Sequence, residues 1–83
     1  MSEELVSVCI PAYNSGRFIV RTIESILNQT YKNIEIVVVD DCSSDDTVDK
    51  VKSIKDDRIK LIVNEANLGM SRNWDKCVRS CSG

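Results

Sequence analysis

Three short β-branched runs, Val6–Ile10, Ile34–Val39 and Ile59–Val63, each break into polar residues and then into a segment with helical periodicity. The first reads as a largely buried strand stopped by Pro11, and Asn14-Ser15-Gly16 supplies turn chemistry before a helix over about residues 17–29. In that helix Ile19, Ile23, Ile26 and Leu27 share one face. Ile34–Val39 is apolar except for Glu35, the pattern of a strand covered on both sides. Ser43 or Ser44 is placed to cap the next helix, about residues 46–55, with Asp45 and Asp46 in its electropositive first turn. Val48, Val51 and Ile54 follow at steps of three, and a last helix, about residues 71–80, aligns Trp74, Cys77, Val78 and Cys81 as a core face. The order β-α-β-α-β-α, with right-handed crossovers, predicts an α/β fold with a parallel sheet in the strand order 3-2-1. Ile10–Asn14 and Asp40–Ser43 should then be neighbours on one rim.

That rim is where open α/β sheets bind ligands, outside the carboxyl ends of the strands. It brings together a hydrogen-bonding turn, Pro11, Ala12, Tyr13 and Asn14, and an acidic pair, Asp40 and Asp41. The combination suits a nucleotide.

Composition removes several other classes of function. The chain has 83 residues, 42% hydrophobic and 29% charged, which fits one small globular domain with a thin core. It has no histidine, so Ser-His-Asp and Cys-His catalysis and the commonest metal ligand are absent. A net charge of −2, no Lys/Arg cluster and 5% aromatics argue against a nucleic-acid partner. Residues 1–5 show no signal peptide, and no apolar run approaches the length of a membrane span. The four cysteines, Cys9, Cys42, Cys77 and Cys81, are therefore expected as free thiols in a reducing cytoplasm. In that setting the Asn28-Gln29-Thr30 sequon is a chance match.

At four segments, VSVCIPAYN, TIESILNQTY, VVVDD with its following residues, and NLGMSRN, the sequence resembles the family 2 inverting glycosyltransferases of the GT-A fold. The resemblance runs from Leu5 to Gly83. It implies that residues 1–83 are the N-terminal nucleotide-sugar-binding portion of a Rossmann-like GT-A domain. In the family, Ser82-Gly83 leads into a fourth strand bearing the metal-binding DXD motif, so the chain is expected to be truncated before that strand. The resemblance further implies a UDP-sugar donor, a carbohydrate or lipid-linked acceptor, and Mg²⁺ or Mn²⁺ in the whole enzyme. Its role would lie in polysaccharide biosynthesis, in the cytoplasm or peripheral at the inner face of the membrane. Metal ligands and catalytic base would lie beyond Gly83, so the isolated chain is expected to be inactive and to bind no metal. A bare edge beside the first strand would favour self-association.

The same resemblance assigns nucleotide contact to Pro11, Ala12, Tyr13, Asn14, Asp40, Asp41, Asn67, Gly69 and Arg72. Pro11-Ala12-Tyr13 would hold the nucleoside, although proline also suits a strand end for reasons of its own. Asp40 and Asp41 admit three readings: solvated charges favoured by a helix dipole, metal ligands, or acceptors of a pyrimidine ring N–H. Matching places the base-reading acid at Asp41, with Asp40 structural or near the ribose. Gly69 relieves a positive-φ turn or flanks the donor pocket, and Arg72 is either a solvated helix residue or a phosphate contact. Cys77 and Cys81, one turn apart, are core thiols, since two thiolates make half a metal site. Trp74 is expected in the core. Competing functions are a phospho-acceptor signalling module, which also carries acidic pairs after strands, and a non-catalytic nucleotide-binding unit. A dinucleotide dehydrogenase is disfavoured because PAYNSG lacks G-x-G-x-x-G.

Overall fold

The computed structural model describes residues 4–29 and 31–82, so Thr30 of the sequon and Gly83 lie outside the described residues. The elements alternate as expected: β1 (Val6–Ala12), α1 (Ile19–Leu27), β2 (Ile34–Asp40), α2 (Thr47–Ser53), β3 (Ile59–Val63) and α3 (Met70–Arg79). The strands form one parallel sheet in the order β1-β2-β3, with β2 in the middle. Register pairs Val6 with Ile34 through to Ala12 with Asp40, and Ile36 with Ile59 through to Asp40 with Val63.

Strand side chains alternate between faces, and here each face meets different helices. Ile34, Ile36 and Val38 point with Ala12 into the larger core, closed by Ile19 and Ile23 of α1 and Val51 of α2. Val37 and Val39 point the other way, onto Cys77 of α3, with Cys9, Ile62 and Cys81 at the margin. Both faces of β2 are thus covered, which explains its nearly continuous apolar run.

Helix ends depart from the sequence pattern. The first helix begins at Ile19, because Ser15 C=O accepts the N–H groups of Phe18 and Ile19, both at 2.9 Å, and closes a tight turn first. Neither Ser43 nor Ser44 caps α2. Asp46 is its N-cap residue, and the Asp45 carboxylate accepts the Thr47 N–H at 2.9 Å.

The expected core face of α3 needs a correction. Trp74 is 51% exposed and Val78 47%, while Asn73 and Cys77 are buried and Cys81 is half-buried. The helix is rotated so that a polar residue enters the interior, which is possible because Asn73 is fully bonded there. Its Nδ2 donates to Val39 C=O at 3.0 Å, and its Oδ1 accepts from Asn64 Nδ2 at 2.8 Å. Apolar spacing alone gives no sign of such a bonded amide.

Candidate functional site

Three loops meet at the carboxyl ends of the strands. The first two are clasped together. Asn14 N–H donates to Ser43 Oγ at 2.8 Å, and Asn14 Oδ1 accepts from Ser44 N–H at 2.9 Å. Ser15 N–H donates to Thr47 Oγ1 at 2.8 Å and Gly16 N–H to Asp45 at 3.1 Å, while Lys50 Nζ donates to Gly16 C=O at 2.8 Å. Asn14 adopts φ +48° to make these bonds, a conformation asparagine tolerates better than most residues. The expected meeting of Ile10–Asn14 with Asp40–Ser43 is therefore present, and it extends into α2.

Asp40 and Asp41 turn in opposite directions, as adjacent residues at a strand end should. Asp40 is fully buried, and its carboxylate accepts both the N–H (2.9 Å) and the hydroxyl of Ser43, folding the β2–α2 loop back on the strand. Asp41 continues the ladder, its N–H donating to Ala12 C=O at 2.8 Å, while its carboxylate reaches the β3–α3 loop. There Oδ1 accepts from Asn64 Nδ2 at 3.0 Å and Leu68 N–H at 2.7 Å, and Oδ2 accepts from Gly69 N–H at 3.0 Å. Burial alone would raise the Asp41 pKa, but these three donors, helped by the positive charge of Lys76, hold it below the ordinary carboxylate value.

Asn64 is the junction of this network. Its two amide hydrogens serve Asp41 and Asn73, and its Oδ1 accepts from Lys76 Nζ at 2.7 Å. Neither Asn64 nor Lys76 is among the site residues expected from the sequence. One available signal was that Asn64 is the first polar residue after β3, the counterpart of the acids that end β2.

Between these loops lies a cleft of about 530 Å³ lined by Pro11, Ala12, Tyr13, Ser15, Asp41, Asn67, Gly69, Met70 and Asn73. Of the residues singled out from sequence, Pro11, Ala12, Tyr13, Asp41, Asn67 and Gly69 meet here. Asn14 lies outside the lining because it clasps Ser44, and Asp40 because it faces Ser43. Arg72 is exposed on α3, away from the lining. Gly69 opens α3 at φ +88° and ψ 159°, a conformation open essentially only to glycine, and it directs its N–H at Asp41.

The cleft has apolar walls from Pro11, Ala12 and Met70, a half-exposed Tyr13 ring, and a few polar groups at the floor. Such walls suit a flat, partly apolar heterocycle. The floor does not suit a cation. Both acids of the β2 end already accept N–H or O–H donors, and the described residues contain no group of three or more acids or cysteines able to hold a metal. Their burial also removes the exposed carboxylate that a phospho-acceptor module needs.

Comparison with known proteins agrees with this arrangement. Residues 7–83 match the family described as Glycosyl transferase family 2. The Escherichia coli UDP-Glc:alpha-D-GlcNAc-diphosphoundecaprenol beta-1,3-glucosyltransferase WfaP is 57% identical over 61 residues, covering 74% of this chain and 24% of that protein. The E. coli enzyme WfgD, named for the same activity, is 42% identical over 83 residues, covering 100% of this chain and 33% of its own length. Among solved structures, S. aureus TarS in complex with UDP superposes with a TM-score of 0.84 at 29% identity, over 98% of this chain and 25% of that one. The Pyrobaculum calidifontis mannosyltransferase PcManGT, in complex with GDP-Man and Mn²⁺, gives 0.83 at 27% identity, over 94% of this chain and 24% of its own. The chain thus spans about a quarter to a third of the length of these relatives. With its three parallel strands, its flanking helices and a family match over nearly its whole length, the chain belongs to glycosyl transferase family 2 and has the α/β architecture of the GT-A fold.

Proposed function

We propose that this chain forms the nucleotide-binding portion of a glycosyltransferase that moves a sugar from a UDP-sugar to an acceptor hydroxyl with inversion. One observation carries the nucleoside assignment. A carboxylate offers about four acceptor positions, two on each oxygen. On Asp41, Oδ1 is filled by Asn64 and Leu68, whereas among the described residues Oδ2 takes only Gly69. One acceptor position therefore remains on a carboxylate whose residue lines the cleft, and a uracil ring carries one imide N–H to fill it. Asn67 donates one amide hydrogen to Asp41 C=O at 3.2 Å, leaving its other for a ring carbonyl. Tyr13 and Met70 offer apolar surface to the ring.

In the reaction, the acceptor oxygen attacks the anomeric carbon as the diphosphate leaves from the opposite face. The described residues bind and orient the nucleoside, so that binding energy is spent on alignment. Mg²⁺ or Mn²⁺, when bound, supplies counter-charge to the leaving diphosphate, and we assign its ligands and the catalytic base to residues other than those described. The E. coli relatives are named for a UDP-Glc donor and a diphosphoundecaprenol-linked acceptor. A UDP-sugar donor and a lipid-linked saccharide acceptor at the cytoplasmic face of a membrane follow as part of the proposal. Among the described residues no helix is long and apolar enough to cross a membrane.

Calorimetric titration with UDP and CDP tests the assignment. Cytosine lacks the ring N–H that Asp41 would accept, so UDP should bind at least about tenfold more tightly, as a charge-assisted hydrogen bond predicts. Equal affinities for the two nucleotides would overturn the role given to Asp41.

A further inference from the structure

On the face of the sheet that carries α3, away from the cleft, three thiols converge. Cys9 Sγ on β1 lies 2.7 Å from Cys81 Sγ, two residues past the end of α3. Cys81 S–H lies 3.3 Å from Cys77 C=O, and Cys9 S–H lies 3.9 Å from the same oxygen. Cys77 itself is fully buried, its thiol turned to Val37 C=O at 3.4 Å. Cys42 is exposed in the β2–α2 loop and turned toward Glu65 C=O.

We propose that Cys9 and Cys81 form a reversible dithiol–disulfide site that takes a small-molecule disulfide such as oxidised glutathione as its oxidant. The sulfurs need to close by only roughly 0.7 Å to reach bonding distance. Both residues are partly exposed. The step balances by exchange. One thiolate attacks a sulfur of the small disulfide, forming a mixed disulfide and releasing one small thiolate. The second protein thiolate then attacks the mixed disulfide, forming Cys9–Cys81 and releasing the other small thiolate. Two protein thiols are oxidised, one disulfide is reduced, and two protons leave to solvent or to the released thiolates. The Cys81 thiol is pushed up to about 11, first by burial and then by the neighbouring Cys9 sulfur. Exchange is therefore slow at neutral pH and quickens in alkali. The bond joins residues 72 apart in sequence and so constrains the unfolded chain strongly.

The test is to incubate the 83-residue chain with oxidised glutathione, trap remaining thiols by alkylation in denaturant, and map the products by peptide mass spectrometry. The expected result is a cross-linked Cys9–Cys81 peptide and a Cys77 that is alkylated, with Cys42 carrying glutathione independently. Cys42→Ser should retain the cross-link. The oxidised chain should melt at least about 5 °C higher, and dithiothreitol should reverse the shift. Mixed disulfides at Cys9 and Cys81 without a cross-link would overturn the proposal, and so would a Cys77–Cys81 bond or an unchanged melting temperature in the cross-linked form. None of these outcomes depends on nucleotide binding.

Discussion

The Asp41 carboxylate accepts the backbone N–H of Gly69 at 3.0 Å, joining the residue after β2 to the N-cap residue of α3 across 28 positions of sequence. Because Gly69 is the N-cap residue of α3, the bond ties the start of the helix to Asp41 in the cleft lining. Asn64 and Leu68 complete the attachment.

Asp41→Asn should therefore weaken two things at once. An amide in place of the carboxylate presents hydrogens to at least one of the three donors now satisfied. Urea denaturation should show a loss of about 1–3 kcal/mol, the usual cost of leaving buried hydrogen-bonding groups unpaired. UDP affinity should fall by about tenfold or more, and a variant that keeps full UDP affinity would remove Asp41 from the nucleoside site.

Acid should find the same latch. The Asp41 pKa is lowered because the Leu68, Asn64 and Gly69 donors outweigh the opposing effect of burial. Asp45 is lowered first by the Thr47 hydroxyl, and Asp56 first by Arg58. A carboxylate with a depressed folded value stabilises the fold above its unfolded pKa, near 4, and loses that contribution as pH falls through the folded value. Stability should thus be level from about pH 7 to 5 and decline below about pH 4. Urea midpoints measured across that range should show a shallower decline in Asp41→Asn.

Two glycines should respond in opposite ways to the space around them. A Cβ on Gly16 would sit 2.2 Å from an Asp46 oxygen, on a side chain that is 59% exposed and can swing aside, and 3.1 Å from an Asp45 oxygen, which needs to give by only a few tenths of an ångström. A Cβ on Gly69 would meet nothing within 4 Å, but the backbone there holds φ +88°. Gly69→Ala should cost about 1–3 kcal/mol through backbone strain. Gly16→Ala should cost less than about 1 kcal/mol, chiefly a surface ion pair. Thermal melts of the two variants decide the order, and the reverse ranking would refute this account.

On α3 the polar neighbour should matter more than the aromatic one. Asn73→Ala leaves one Asn64 hydrogen unpaired in the interior and removes the side-chain donor to Val39 C=O, at about 1–3 kcal/mol. Trp74→Ala, on the exposed side, should change stability by less than about 0.5 kcal/mol. Denaturation midpoints of the pair would expose an error if the tryptophan proved the costlier loss.

The Asn73 and Trp74 contrast shows what in this chain was legible from sequence. Strand and helix order followed from β-branched runs and the Ile19–Ile23–Ile26–Leu27 spacing, because burial of apolar surface leaves a periodic mark. The meeting of the first two loops followed from crossover handedness. The rotation of α3 did not, because it rests on an amide satisfied by Val39 and Asn64, distant partners that local pattern does not reveal. For the same reason Asp40 and Asp41 looked alike as neighbours in sequence, although one serves Ser43 and the other Asn64, Leu68 and Gly69.

That division of labour makes the site depend on the parity of β2. Asp40 falls in step with Ile34, Ile36 and Val38, on the side of α1 and α2, and Asp41 with Val37 and Val39, on the side of α3. Inserting or deleting a single residue between Ile34 and Asp40 would reverse the assignment, sending each acid toward the other's partners and turning the apolar set inside out. Removing or adding two would preserve it. The length of this strand, counted odd or even, is thus itself an element of the binding floor, although no one residue in the count touches what the cleft holds.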